Sequence, residues 1–250
     1  MQQLQIKKFS TARDKEISIP AGAAVAAELE VVAGAHAVAI NLGENSSLML
    51  SEVQNIPGDE KASLDLRISL ARNSSLSHAA LCAFGKEISI KRNFDLHEGA
   101  EVNFANAFFG NREQKFIFNT TVNHSGRNSK SDLRTYGILR DAAQCVSHGN
   151  IKIEKAGQGS NAFLADHSLL LDKKARAESI PALEILANDV RAGHSASTTR
   201  LSPEQLFYCT SRGLNELEAI KIIASGFLAR AFAKVDAGSI MELVEEKWKE

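Results

Sequence analysis

The sequence predicts a mainly β protein, a β-solenoid in preference to a sandwich or a barrel, followed by a small α-helical C-terminal domain. Three observations point there. Short runs that alternate apolar and polar residues recur at roughly even intervals up to about residue 195, separated by Gly, Asn, Asp and Ser. Two segments, Leu42–Leu50 (LGENSSLML) and Leu96–Phe104 (LHEGAEVNF), read as one turn-and-strand unit used twice, which tips the choice towards a solenoid. Past residue 200 the pattern changes to helical spacing with capping residues.

The strands are predicted from the alternation. Leu64–Leu70 (LDLRISL) is the clearest, with an apolar residue at every second position. Others are Leu29–Val32, Ala37–Asn41, Leu48–Val53, Leu76–Ala83, Glu87–Asp95, Val102–Phe109, Lys115–Val122, Leu133–Leu139 and Gly149–Glu154. No helix-length segments are interleaved among them, which disfavours a doubly wound α/β fold. The domain boundary is placed at residue 200, giving a β domain over 1–200 and a helical domain over 201–250. Ser202 as N-cap, Pro203 at the first helical position and Gln205 three residues on predict a short helix ending near Gly213. Asn215 with Glu218 repeats the signal, and Leu217, Ile220, Ile223, Ala224, Phe227 and Ala231 are predicted to share one face. A third helix is predicted to open at Ser239 and Glu242, with Ile240, Leu243, Val244 and Trp248 on one side.

Composition narrows the function. The net charge is −1, with 29 basic against 30 acidic residues, so the generalised field of a nucleic-acid-binding surface is missing. The first residues lack a continuous apolar run and nothing later reaches membrane-spanning length, so a cytoplasmic protein without membrane contact is expected. Three widely spaced cysteines (Cys82, Cys145, Cys209) argue against a disulfide framework and against a fixed thiolate metal site. There is no Walker glycine loop, so no nucleotide is expected to bind, and neither a nucleophile elbow nor a His-Glu-x-x-His helix. No motif supports an enzyme. Seven histidines remain as candidates, and their own patterning distinguishes none of them.

One stretch does. Ser179-Ile-Pro-Ala-Leu-Glu-Ile185 and Asn188-Asp-Val-Arg-Ala-Gly-His-Ser-Ala-Ser197 precede Gln205-Leu-Phe-Tyr-Cys-Thr-Ser-Arg-Gly213, then Glu218-Ala219 and Gly226-Phe227. With Ser168–Leu171 and Ala175 upstream, and more loosely His124–Ser131, this ordered set resembles the SufB/SufD family of the SUF iron–sulfur cluster assembly system over about residues 118–232. The resemblance implies a right-handed parallel β-helix and a helical C-terminal region. It also implies a scaffold rather than a catalyst. Such a chain pairs with a second SufB/SufD-type subunit, as a homo- or heterodimer, binds a SufC-type ATPase through its helical region, and handles a transient iron–sulfur cluster or iron.

The resemblance assigns residues as well. His194 falls on the family's interface histidine and is the candidate cluster or iron ligand, with Asp166 and His167 as weaker candidates. Asp166 stands where SufB-type members carry a cysteine, Ser195 where they carry a glutamate, and Ala192 where many SufD-type members carry a cysteine. The chain therefore looks like a short, SufD-like member that lacks the thiolates of both branches. Phe207, Tyr208, Arg212, Glu218 and Phe227 are the candidate ATPase contacts. Cys82 and Cys145 would join an internal sulfur path if they face the lumen, whereas Cys209 is expected to pack. Competing readings are a β-helical enzyme acting on carbohydrate or acyl groups, and a purely structural solenoid.

Overall fold

A computed structural model of the chain describes residues 6–236, together with 240 and 243. The strands are β1 (Ile6–Ser10), β2 (Glu16–Ile19), β3 (Ala24–Val32), β4 (Gly34–Leu42), β5 (Ser47–Asn55), β6 (Lys61–Leu70), β7 (Ser75–Cys82) and β8 (Glu87–Leu96). They continue with β9 (Glu101–Gly110), β10 (Lys115–His124), β11 (Lys130–Leu139), β12 (Gln144–Ile153), β13 (Asn161–Leu170), β14 (Arg176–Ile185) and β15 (Arg191–Arg200). Odd-numbered strands form one sheet in the order β1-β3-β5-β7-β9-β11-β13-β15, and even-numbered strands form the other, β14-β12-β10-β8-β6-β4-β2. Neighbours run parallel throughout. The chain therefore climbs a β-solenoid, laying one strand on each sheet per coil. This is the predicted architecture.

Alternation explains why the solenoid closes. In β6, Ala62, Leu64, Leu66, Ile68 and Leu70 are buried while the residues between them face outward, and the same two-residue period recurs in β8 and β10. The buried sets of the two sheets meet in a continuous lumen core rich in Leu, Ile and Phe. Parallel strands stacked in register place like above like, so each coil covers the apolar face of the one before it.

The corners between even and odd strands form a ladder. Gly22, Asn45, Asn73, Gly99, Asn128 and Gly159 all have φ between 56° and 77°, the left-handed region that Gly and Asn enter at least cost. Each donates its amide N–H to a carbonyl of the next coil, from Gly22 to Glu44 through Asn73 to Glu98 and on to Gly159 to Asp189. At Gly99 an added Cβ would lie 2.3 Å from Oδ1 of Asn73, so a side chain there would require the Asn73 amide to move.

Beyond Arg200 the chain forms α1 (Pro203–Ser211), α2 (Glu216–Ala229) and a 3₁₀ turn at Arg230–Phe232. Ser202 Oγ accepts the Gln205 N–H, as expected of an N-cap, while the full reciprocal capping box forms at Asn215 and Glu218. The helical segment packs on the outer face of the odd-strand sheet. Ala224, Leu228 and Ala231 meet Phe109, Tyr136 and Leu169 in a second core, separate from the lumen. The predicted apolar face of α2 needs one correction: Leu217 is 53 % exposed, and Ala219 and Leu228 take the buried positions. On the sheet side the small residues Ala79, Ala105, Ala107 and Ala165 admit close packing of Ala224 and Leu228. Of the third predicted helix only Ile240 and Leu243 fall among the described residues, and both pack on this second core.

Candidate functional site at the open end of the solenoid

The last coil has nothing stacked above it among the described residues. β14 pairs only with β12 and β15 only with β13, so each strand keeps one free edge. Positions that would be buried inside the solenoid stand open here. Leu183 and Ile185, which sit in register above Ile151 and Ile153 of the lumen core, are 37 % and 40 % exposed. Leu186 follows them at 58 %, and Ile180 on the outer side is 41 % exposed.

His194 belongs to this end. It lies in register above the buried Leu164, on the lumen-facing side of β15, and is exposed for want of a following coil. Asp166 lies one coil down, buried beneath Ala196. Burial pushes its carboxyl above the usual range, partly offset by hydrogen bonds from Ser147 and Ser179. His167, the next residue, points to the opposite face, because successive side chains of a strand alternate. There its Nδ1 meets Ser197 Oγ at 2.7 Å and its Nε2 meets Ser195 Oγ at 3.1 Å, with the ring 4.9 Å from that of Tyr136. Burial, then the Arg230 and Arg134 cations, lower its pKa. The three expected ligands therefore do not converge within the chain. Among the described residues no group of three or more His, Cys, Asp or Glu side chains is placed to hold a metal ion.

A polar cluster inside the lumen was not singled out from the sequence. Glu52 of β5, His78 and Cys82 of β7, Arg92 of β8 and Asn106 of β9 are all at most 1 % exposed. Arg92 donates Nη2–H to Glu52 Oε1 at 2.6 Å and Nε–H to Oε2 at 3.2 Å, and His78 Nε2 donates to Oε2 at 3.1 Å. Burial alone would raise the Glu52 carboxyl, yet Arg92 and His78 outweigh it and hold it at about 2. Burial lowers His78. The Cys82 thiol, donating to Asn106 Oδ1 at 3.6 Å, is pushed by burial up to about 12. Cys145 also faces the lumen, and burial raises it well above the ordinary thiol value. Both thiols thus face inward, and both are protonated at neutral pH. A signal was present: Glu52 and Arg92 each interrupt an otherwise apolar inward series, Leu48-Leu50-Glu52 and Ile88-Ile90-Arg92.

On the helical segment, Phe207 and Tyr208 are 73 % and 62 % exposed and Arg212 stacks its guanidinium 5.4 Å from the Tyr208 ring centre. Those three form one surface patch. The other two expected contacts are engaged internally: Glu218 accepts the Asn215 N–H, and the Phe227 ring packs 5.3 Å from Tyr136. Cys209 is half-buried in α1.

Fold and site together define a two-sheet β-solenoid whose last coil is left open among the described residues, with a buried charge cluster and a helical segment docked on one flank. Residues 16–227 match the family model of the SufBD core domain of SUF-system FeS cluster assembly proteins, and the chain belongs to this family. It is 32 % identical over 189 residues to the iron–sulfur cluster assembly protein SufD of Bacillus subtilis, an overlap of 75 % of this chain and 43 % of that protein. It is 28 % identical over 182 residues to a SufBD family protein of Mycobacterium leprae, covering 69 % of this chain and 46 % of the relative. The chain thus spans less than half the length of these relatives. No helix among the described residues is long and apolar enough to cross a membrane.

Proposed function

We propose that the chain is a non-catalytic, cytoplasmic scaffold subunit of a SUF-type assembly complex, which pairs through the open end of its solenoid with a second SufB/SufD-type subunit. The observation that carries this reading is the last coil: two strands with free edges, and Leu183, Ile185 and Leu186 standing exposed beside them. An unpaired parallel edge with an apolar rim is a template for another chain, and covering it would complete the core. His194 stands on that surface, so a partner docked there would supply the further ligands that a transient iron–sulfur cargo needs. The exposed patch of Phe207, Tyr208 and Arg212 is the surface offered to a SufC-type ATPase.

Co-expression of the chain with its cognate ATPase and a SufB-type subunit, followed by size-exclusion chromatography, tests both halves. A Leu183→Lys variant is expected to leave the second scaffold subunit while keeping the ATPase, and a Phe207→Ala/Tyr208→Ala variant to do the reverse. Wild-type chain eluting free of both partners would overturn the reading. Anaerobic loading of the intact complex with iron and sulfide, compared with His194→Ala, tests the ligand: an unchanged chromophore removes His194 from the cargo site.

A further inference from the structure

A pocket of about 520 Å³ lies where the helical segment meets the odd-strand sheet, walled in part by β15 of the last coil, and the exposed patch of Phe207, Tyr208 and Arg212 lies outside its lining. Its polar wall comes from four elements: Arg200, Ser197 and Thr199 of β15, Gln205 of α1, Gly226 of α2, and Arg230 of the turn that follows. Its other wall is apolar, made by Leu169, Ile222, Ile223 and Phe227. No acidic side chain lines it among the described residues. We propose that this pocket is a binding site for a small organic oxyanion, a carboxylate or phosphate monoester. Its charged oxygens would meet Arg200 and Arg230, and its hydrocarbon body would lie against α2.

Three features favour a ligand over an incidental crevice. Arg200 and Arg230 line the pocket together with hydroxyl and amide side chains, the donor types that oxyanions demand, and the volume suits a small molecule. Each arginine is already braced: Arg200 donates Nη1–H to the Asp172 carbonyl at 2.9 Å, and Arg230 lies 5.5 Å from the Tyr136 ring centre. Bracing leaves remaining guanidinium N–H groups free to serve a ligand without a large ordering cost. The third feature is Gly226. It sits inside α2, where glycine weakens a helix, yet a Cβ added there would meet nothing within 4 Å. Protein packing therefore does not require a glycine at this position. With glycine there, the α2 backbone is left open on the side that lines the pocket.

The test uses the full chain, titrated by NMR with phenyl phosphate and, separately, with benzoate. Saturable shifts at the Gly226 amide and the Ile222 and Ile223 methyls are expected for at least one of the two. Arg200→Gln and Arg230→Gln should each weaken binding at least tenfold, and Gly226→Leu, which favours the helix while filling the pocket, should abolish it. Inorganic phosphate should bind at least tenfold more weakly than phenyl phosphate if that is the probe that binds. No saturable binding of either aryl anion to the wild-type chain would overturn the proposal. Undiminished binding to the folded Gly226→Leu variant would also overturn it. The outcome is independent of whether the chain pairs with an ATPase or a second scaffold.

Discussion

Arg92 crosses the lumen from the even-strand sheet to reach Glu52 on the odd-strand sheet, closing to 2.6 Å between residues 40 apart in sequence. Both side chains are at most 1 % exposed, so this is an ion pair without solvent to replace either partner. Removing one partner strands a buried charge. Arg92→Met is expected to cost about 3–5 kcal/mol in urea unfolding, whereas the double variant Glu52→Gln/Arg92→Met should recover part of that loss. Equal losses in the single and double variants would count against the pair.

The same pair sets an acid limit. Glu52 titrates at about 2 in the folded chain against an ordinary 4.5, so its stabilising contribution is complete above pH 4.5 and disappears as pH falls through 2. Urea midpoints of wild-type and Glu52→Gln should therefore differ most above pH 4.5 and draw together towards pH 2.

His124 governs a different window. Buried at the end of β10, with Nδ1 2.7 Å from Ser129 Oγ and Nε2 2.9 Å from Ser131 Oγ, it is held by burial at about 4 against an ordinary 6.5. The unfolded chain takes up this proton first, so stability is full above pH 6.5 and declines as pH falls to about 4, by about 3 kcal/mol. His124→Asn should flatten the dependence of the urea midpoint between pH 6.5 and 4, even if it lowers stability at neutral pH.

Phe227 against Tyr136 joins the helical segment to the solenoid. Phe227→Ala should weaken that docking by about 3 kcal/mol. Amide hydrogen exchange would then quicken across α2 and leave the strands of the lumen core protected. Uniform loss of protection would mean that helices and solenoid unfold as one unit.

The corner ladder is open to a simple substitution. Asn73 holds φ at 56°, so Asn73→Val should destabilise by about 1–2 kcal/mol and Asn73→Gly by much less, read from thermal or urea unfolding.

Much of the solenoid was legible because alternation and corner chemistry are local. β3 to β12 each contain a segment read from the sequence, and the Asn and Gly punctuation marks the corners that hold positive φ. β1 and β2 are too short to alternate convincingly. β14 and β15 read as family motif before they read as strands, since Pro181, Gly193 and runs of small residues blur the apolar period. The exposure of Leu217 depends on which way α2 rolls against a sheet face that lies far away in sequence. For the site, His194 was singled out on the family resemblance, and its strand lies at the open end. That Asp166 and His167 part company follows from strand alternation, once β13 is known to run through both. The Glu52–His78–Arg92 cluster needed the register between coils, which no local pattern encodes.

Because each coil lays one strand upon the last, position along the solenoid is counted in whole steps. Five of them separate β5 from β15. At about 4.8 Å per step, the Glu52 ion pair sits about 24 Å below the rim that carries His194. The protein is in that sense a ruler. Excising a full coil would shorten this span by one graduation while leaving the geometry of every remaining corner intact, whereas deleting a single residue would break the scale.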